Sequence, residues 1–290
     1  MKDKIIFITG ATSGIGFQTA LALAKMGAQV IITGRSQKTA EEAVANIKSA
    51  SGNSRVDYLL ADLSARKNIR TLAEQFKARY ERLDVLINNA GLAASQKELT
   101  EDGLESDFAM NVVSPFLLTN LLMDLLKKSS SPRVVTLMGG DVPAKLDMDN
   151  LQSEKSFDGL NTYSQTKLAM MALMYEFAQR EKGVTINVCY PGQASTNMTR
   201  SVTSEMLPRA MRWMFPIFKL AVREDGGKSA AKAARSSVYL ASSPEVDGVT
   251  GKYFDTNCKE AAWSPAVMDE ANREMLWKIV ERLTFATKEH

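Results

Sequence analysis

Histidine is all but missing from this chain. The single one, His290, is the terminal residue, so serine-histidine triads, histidine-ligated metals and imidazole acid–base chemistry are excluded, and proton transfer falls to Tyr, Lys, Asp or Glu. Cysteine is nearly as scarce. Cys189 and Cys258 stand far apart and in no C-x-x-C or metal-ligand spacing, which rules out a disulfide framework, predicts no metal and suits a reducing compartment. Cys189 reads as a buried strand residue. No long apolar run opens the sequence either: Met1-Lys2-Asp3-Lys4 leads into four bulky apolar residues before a glycine turn, too few for a secretory core or a membrane span. Charge of one sign is also lacking. The net charge of +3 and pI near 8.7 come from cations scattered among nearly as many acids, without a basic arm or interleaved aromatics, so nucleic acid is not an expected partner. A cytoplasmic protein is the expectation.

What is present is ordinary globular composition, 45% hydrophobic and 24% charged over 290 residues, enough for one large α/β core spanning 1–290. The organising stretch is residues 4–26. Ile5-Ile6-Phe7-Ile8 predicts a strand covered on both faces, and Ala20, Leu21, Leu23 and Ala24 give the following helix a packing stripe. Between them lies Thr9-Gly10-Ala11-Thr12-Ser13-Gly14-Ile15-Gly16. Glycine is costly inside either element, so the turn needs it: Gly10 for a tight exit, Gly14 for approach to a diphosphate and Gly16 for close helix packing. The free N–H groups of the helix would face an anion.

The pattern repeats. Gln29–Thr33 predicts a second strand ending at Gly34-Arg35, where an NAD-preferring fold would offer an acid to the ribose; a cation there suits a 2′-phosphate and hence NADP(H). Arg35 as a plain surface charge is the alternative, and Ser13, Ser36 and Lys38 are candidate helpers. A helix over 37–50, a strand over 55–60 and then Asp62-Leu63 follow, with Asp62 read either as an adenine acceptor or as the neighbour of a helix capped by Ser64. A helix over 65–80 leads to the strand 84–87 and to Asn88-Asn89-Ala90-Gly91. Residues 101–128 predict one long apolar helix, kinked at Pro115, with Asn111 inside it as an amide that must bridge backbone groups or hold a water.

The strand 133–138 is followed by Gly139-Gly140-Asp141, and Tyr163-Ser-Gln-Thr-Lys167 heads a helix running to about 182. Spacing of i and i+4 puts the phenol and the ammonium on one face, where the lysine would lower the tyrosine pKa toward 7 and make Tyr163 a proton donor. That helix carries two apolar stripes, one for the sheet and one spare; with the leucine-rich helix before it, the spare stripe predicts a homodimer, unless the apolar insert further on covers it instead. The strand 184–190 ends in Pro191-Gly192, whose backbone could meet a nicotinamide carboxamide, and the Thr196 hydroxyl could reach the diphosphate. The insert 198–222 is rich in Met, Trp and Phe. It reads first as a lid over an apolar substrate, with core packing and, through Arg209, Arg212 and Lys219, peripheral membrane contact as the other readings. A helix near 226–242, a strand near 251–255 and an extension over 256–290 with a helix from 265 to 285 complete the chain.

In order along the chain, Thr9-Gly10-x-x-x-Gly14-Ile15-Gly16, Asp62-Leu63, Asn88-Asn89-Ala90-Gly91, Asn111, Tyr163-x-x-x-Lys167 and Pro191-Gly192 closely resemble the short-chain dehydrogenase/reductase family, over about residues 4–255. The spacer ending in Asn150-Leu151-Gln152 and the run Leu160-Asn-Thr-Tyr163 look like its retinol-dehydrogenase-like branch. The resemblance implies a Rossmann-type doubly wound parallel sheet of about seven strands, order 3-2-1-4-5-6-7, and hydride transfer between NADP(H) and a carbonyl or alcohol, which the insert predicts to be apolar. It also implies roles: Tyr163 as acid or base, Lys167 on the nicotinamide ribose, Asn111 at the water of a proton relay, and Thr12, Ser13, Ile15, Asn89, Ala90 and Gly91 beside the cofactor. One family residue is missing. The serine that bonds the substrate oxygen falls at Gly139, or at Gly140 if the chain bulges, with Asp141 or Thr136 as weak substitutes. A nucleotide-binding sensor without catalysis is therefore the alternative function.

Overall fold

The structure, a computed structural model, describes residues 1–139, 143–207 and 209–285. Five βα units and a sixth strand run in sequence. They are β1 (Ile5–Ile8) and α1 (Gly14–Lys25), β2 (Gln29–Gly34) and α2 (Gln37–Ser51), β3 (Val56–Leu60) and α3 (Arg66–Arg79), β4 (Val85–Asn88) with α4 (Ser106–Phe108) and α5 (Ser114–Leu126), β5 (Arg133–Leu137) with α6 (Gly159–Arg180), and β6 (Thr185–Cys189). After β6 come α7 (Asn197–Ser201), α8 (Phe215–Ala221), α9 (Lys228–Ser242), β7 (Tyr253–Phe254), β8 (Glu260–Ala261), α10 (Pro265–Met268) and α11 (Glu270–Phe285). One sheet holds every strand, in the order β3-β2-β1-β4-β5-β6-β7-β8. The first seven pair in parallel, and the expected order holds. β8 is an addition: a two-residue antiparallel edge supplied by the extension, Tyr253 opposite Ala261.

Alternation along the strands divides the core in two. Ile6, Ile8, Val30, Ile32, Val85 and Ile87 pack under α1, α2 and α9, while Phe7, Ile31, Leu86 and Val134 face α3, α5 and α6. Because both faces are covered, the strands read as continuous apolar runs. Every cofactor-type motif then falls at the carboxyl edge, where an open α/β sheet binds ligands.

Three local expectations change. The long helix is broken: α4 passes into a π-helical turn, Ala109–Val113, before α5. Pro115 has no N–H to return to the Asn111 carbonyl, so the ladder widens there, and Asn111 sits in the wide turn. Ser64 does not cap α3. Ala65 is its N-cap residue, and the first-turn N–H of Arg66 is taken by Asp102 Oδ2 at 2.7 Å. The stripe expected to make a homodimer is covered within the chain, by α11. Trp277 meets Phe116 at 4.9 Å and Phe177 at 5.2 Å between ring centroids, and the buried Arg273 bonds Glu176 of α6 at 3.1 Å. The segment Ser106–Leu126, long and apolar enough to cross a membrane, is mostly buried in this core.

Candidate active site

The glycine turn is built as a phosphate cradle. Gly10 and Gly14 have left-handed backbones, at φ 63° and 59°, so the chain folds back at once from β1 into α1. Gly16 lets that helix sit against the turn, since a Cβ there would stand 2.8 Å from the Gly10 carbonyl oxygen and would strike the Asn89 amide. Ser13 ends the turn without a side-chain bond to α1, so the first N–H groups of the helix keep no side-chain partner. At the end of β2, Thr12 packs on Gly34, where a Cβ would meet its methyl at 2.5 Å. Arg35 is exposed and makes no ion pair among the described residues, and Ser36, the N-cap residue of α2, makes no capping bond. A cation and a free helix terminus therefore stand beside the ribose end of the cradle.

Other expected contact residues also hold the edge together. Asp62 is half-buried, with Oδ1 taken by the amide and hydroxyl of Ser64 at 3.0 and 2.8 Å, which leaves Oδ2 for a ligand; the neighbouring Leu63 is buried. Asn89 donates to the carbonyls of Thr9 and Gly10 at 2.8 and 2.9 Å, and Thr9 Oγ1 accepts from the amides of Asn89 and Ala90. Its amide nitrogen thus ties the end of β4 to the glycine turn. Thr196 lies over Gly14, as expected, but it is the N-cap of α7 in a capping box with Thr199, and its methyl is the group nearest Gly14. Its hydroxyl accepts from the Thr199 N–H at 3.2 Å. Ile15 packs against the α1 side of the core, and Pro191-Gly192 leaves β6 with Gly192 at φ 81°.

At the far end of the edge, α6 brings Tyr163 and Lys167 inward, both 6% exposed. Tyr163 lies one turn inside this helix, which starts at Gly159. Lys167 Nζ donates to the Leu137 carbonyl at 3.4 Å and lies 5.8 Å from the Tyr163 ring centroid. Asn111 reaches across from the π turn: its amide donates to the Leu92 carbonyl at 2.8 Å and to Thr166 Oγ1 at 3.0 Å, and its oxygen accepts from the Leu92 N–H at 2.9 Å. This is the backbone-bridging role. A Cβ at Gly91 would stand 3.2 Å from both Asn111 Oδ1 and Lys167 Nζ, so that glycine lets the two approach. Gly139 ends the set. A Cβ built on it would collide with the Tyr163 hydroxyl, so the phenol lies where a serine side chain would begin. Gly140 and Asp141 lie outside the described residues. Thr136 is buried in β5 and accepts from Asn88 Nδ2 at 3.3 Å, which removes it as a substitute.

The electrostatics correct one expectation. Burial, then the neighbouring Asp107 and Tyr190, push the Tyr163 phenol above its ordinary value instead of toward 7. Lys167 is itself pulled down to about 8 by burial, with Asp107 opposing.

A model of the short chain dehydrogenase family matches residues 4–207. The chain belongs to the short-chain dehydrogenase family. Within it the similarity is to retinol dehydrogenases: the human retinol dehydrogenase 14 is 38% identical over 97% of this chain and 86% of its own length. The human polyprenol dehydrogenase is 35% identical over 95% and 83%. A protein from Shigella flexneri solved in complex with NADP superposes with a TM-score of 0.65 at 25% identity, covering 89% of this chain and 98% of its own. The protein is thus a retinol-dehydrogenase-like oxidoreductase, and its cradle of glycines and open helix N–H groups fits the nicotinamide cofactor that the family uses.

For this short-chain dehydrogenase two site neighbours were not legible beforehand. Asp107 and Tyr190 both act on Tyr163, yet no motif names either. The only available signal for Asp107 was an acid one helical turn before Asn111. The insert packs inward through Met206, whose Cα would lie 2.8 Å from a Cβ at Gly159 on the head of α6. Its outer side leaves Trp213, Ile217 and Leu220 60–73% exposed.

Proposed function

We propose that this protein is an NADP(H)-dependent oxidoreductase that moves hydride between the nicotinamide and an apolar carbonyl or alcohol. The observation that carries the reading is the joint burial of the Tyr163 hydroxyl and the Lys167 ammonium at the carboxyl edge, in line with an anion cradle flanked by the exposed Arg35. The bound cofactor supplies or takes the hydride. Tyr163 stays protonated through the neutral range because its phenol is buried, so in the reducing direction it gives its proton to the substrate oxygen as the alkoxide forms. Lys167, within reach of the ring, then offsets the phenolate charge. Arg35, with Ser36 and Lys38, would receive the 2′-phosphate. The Met206 side of the insert, hard by the head of α6, would border an apolar substrate, in keeping with the alcohols that the relatives' names specify, retinol and polyprenol.

Gly139 offers no hydroxyl to a developing oxyanion, and the phenol occupies that space. Among the described residues, Tyr163 then supplies both the proton and the hydrogen bond. The binding-only alternative has no further observation in its favour. A cytoplasmic setting belongs to the same reading, in keeping with free thiols at Cys189 and Cys258. Dimerisation through the α5/α6 face is not part of it, because α11 occupies that face. Purified protein should oxidise NADPH with some member of a lipophilic aldehyde and ketone panel. Tyr163→Phe should lower kcat by about 10² to 10⁴-fold with NADPH binding unchanged. A panel that stays silent while NADPH binds tightly would overturn the assignment.

A further inference from the structure

Asp107 is fully buried, at 0% exposure, and carboxylates are almost never so unless paired. Its Oδ1 accepts from the Ala94 N–H at 2.9 Å, and its Oδ2 has no hydrogen-bond partner among the described residues. The preceding acid, Glu105, is spent on capping: its two oxygens accept from the amides of Asp107 and Phe108 at 2.9 Å each. One turn after Asp107 comes Asn111, bonded to Thr166, the residue before Lys167. The carboxyl therefore lies in the layer behind Asn111 and the α6 pair. Lys167 has the complementary deficit. It is buried, its one hydrogen bond is the long one to Leu137, and no acid touches it among the described residues.

Taking an ammonium out of water costs several kcal/mol unless an anion offsets it. We propose that Asp107 is a positioning residue that supplies the counter-charge for the buried Lys167 ammonium, and so holds Lys167 in the state the proposed reaction needs. The groups facing the carboxyl are Glu105 from its own helix and, from α6, Lys167 and the phenol of Tyr163. The two charges do not form a direct ion pair, so Asp107 acts through the field inside the core. Burial, reinforced by Glu105, pushes the Asp107 carboxyl up to about 7. The Lys167 ammonium is lost through about 8. The two groups are charged together only above the midpoint of the carboxyl and below that of the ammonium, so the acid limb belongs to Asp107.

The proposal rests on the proposed function for its purpose but can be tested without turnover. In full-length protein carrying ¹³C-labelled lysine, the Lys167 resonance, assigned by its loss in Lys167→Arg, should titrate near pH 8 with a smaller inflection near pH 7. In Asp107→Asn the inflection should vanish and the main midpoint fall by about one pH unit. Where turnover is measurable, kcat/KM of Asp107→Asn should lose its acid limb while its alkaline limb moves down by the same amount. An unchanged Lys167 midpoint in a folded Asp107→Asn protein would overturn the proposal, whatever the activity. Should that variant fail to fold, wild-type protein with no inflection near pH 7 would overturn it equally. Loss of the assigned activity in the lipophilic panel would leave both titrations standing.

Discussion

Gly139 shows how a single residue can mislead when read by comparison alone. A glycine in the serine position suggests that restoring the hydroxyl would restore a missing donor, yet the Tyr163 hydroxyl already lies against that glycine and collides with any Cβ placed there. Gly139→Ser should therefore displace the phenol and lower kcat by about a hundredfold, in line with the cost of a 1 Å misplacement; equal or higher turnover would show that the phenol relocates freely. Asp107 carries a second consequence at this scale. Its folded pKa lies above the ordinary carboxylate value of 3.8, at about 7, so the folded state binds the proton more tightly. Its contribution to stability is present in full below pH 4 and is lost as pH rises through 7. That slope is worth about 4 kcal/mol at roughly 1.4 kcal/mol per pH unit, and urea denaturation across pH 4–8 should show it shrink in Asp107→Asn.

Among the elements, α11 decides most. It covers the face of α5 and α6 that would otherwise be a sticky apolar surface, and its anchor is Arg273, which bonds Glu176, donates to the Val267 carbonyl at 2.9 Å and stacks over Tyr175 at 4.8 Å. Removing one partner of a buried pair costs about 3–5 kcal/mol, and here the loss is moderated because Glu176 keeps Arg180 at 2.7 Å. Arg273→Ala should lower unfolding free energy by about 3 kcal/mol and raise self-association in sedimentation velocity, with the more exposed Arg180→Ala losing less. A variant with wild-type stability would show that the aromatic contacts alone seat the helix. The π turn is the other decisive element, because it carries Asn111, which bonds Leu92 and Thr166.

For the whole molecule, the sheet gathers motifs far apart in the chain along one edge, with phosphate chemistry at the β1 and β2 end and proton chemistry beyond β5. A ligand lying along that edge binds only the folded chain, so saturating NADPH at about 100 Kd should add roughly 2.7 kcal/mol of stability. NADH at the same concentration should add less. Arg35→Ala should narrow the difference by about tenfold in affinity, the scale of one charge-assisted bond; equal shifts from both nucleotides in the starting protein would count against the 2′-phosphate reading.

Local patterning was enough to give the βα order, the parallel sheet, the glycine cradle and the pairing of Tyr163 with Lys167, because apolar runs, turn residues and i, i+4 spacing act over a few residues. Three things came only from packing. The acidity of Tyr163 runs opposite to its expected direction because burial outweighs a lysine beside the ring. The spare stripe of α6 found its partner in α11, some hundred residues on. The Asp107 carboxyl became a neighbour of Lys167 only when α4 met α6. Burial and long-range charge are properties of the assembled core, and no sequence window contains them.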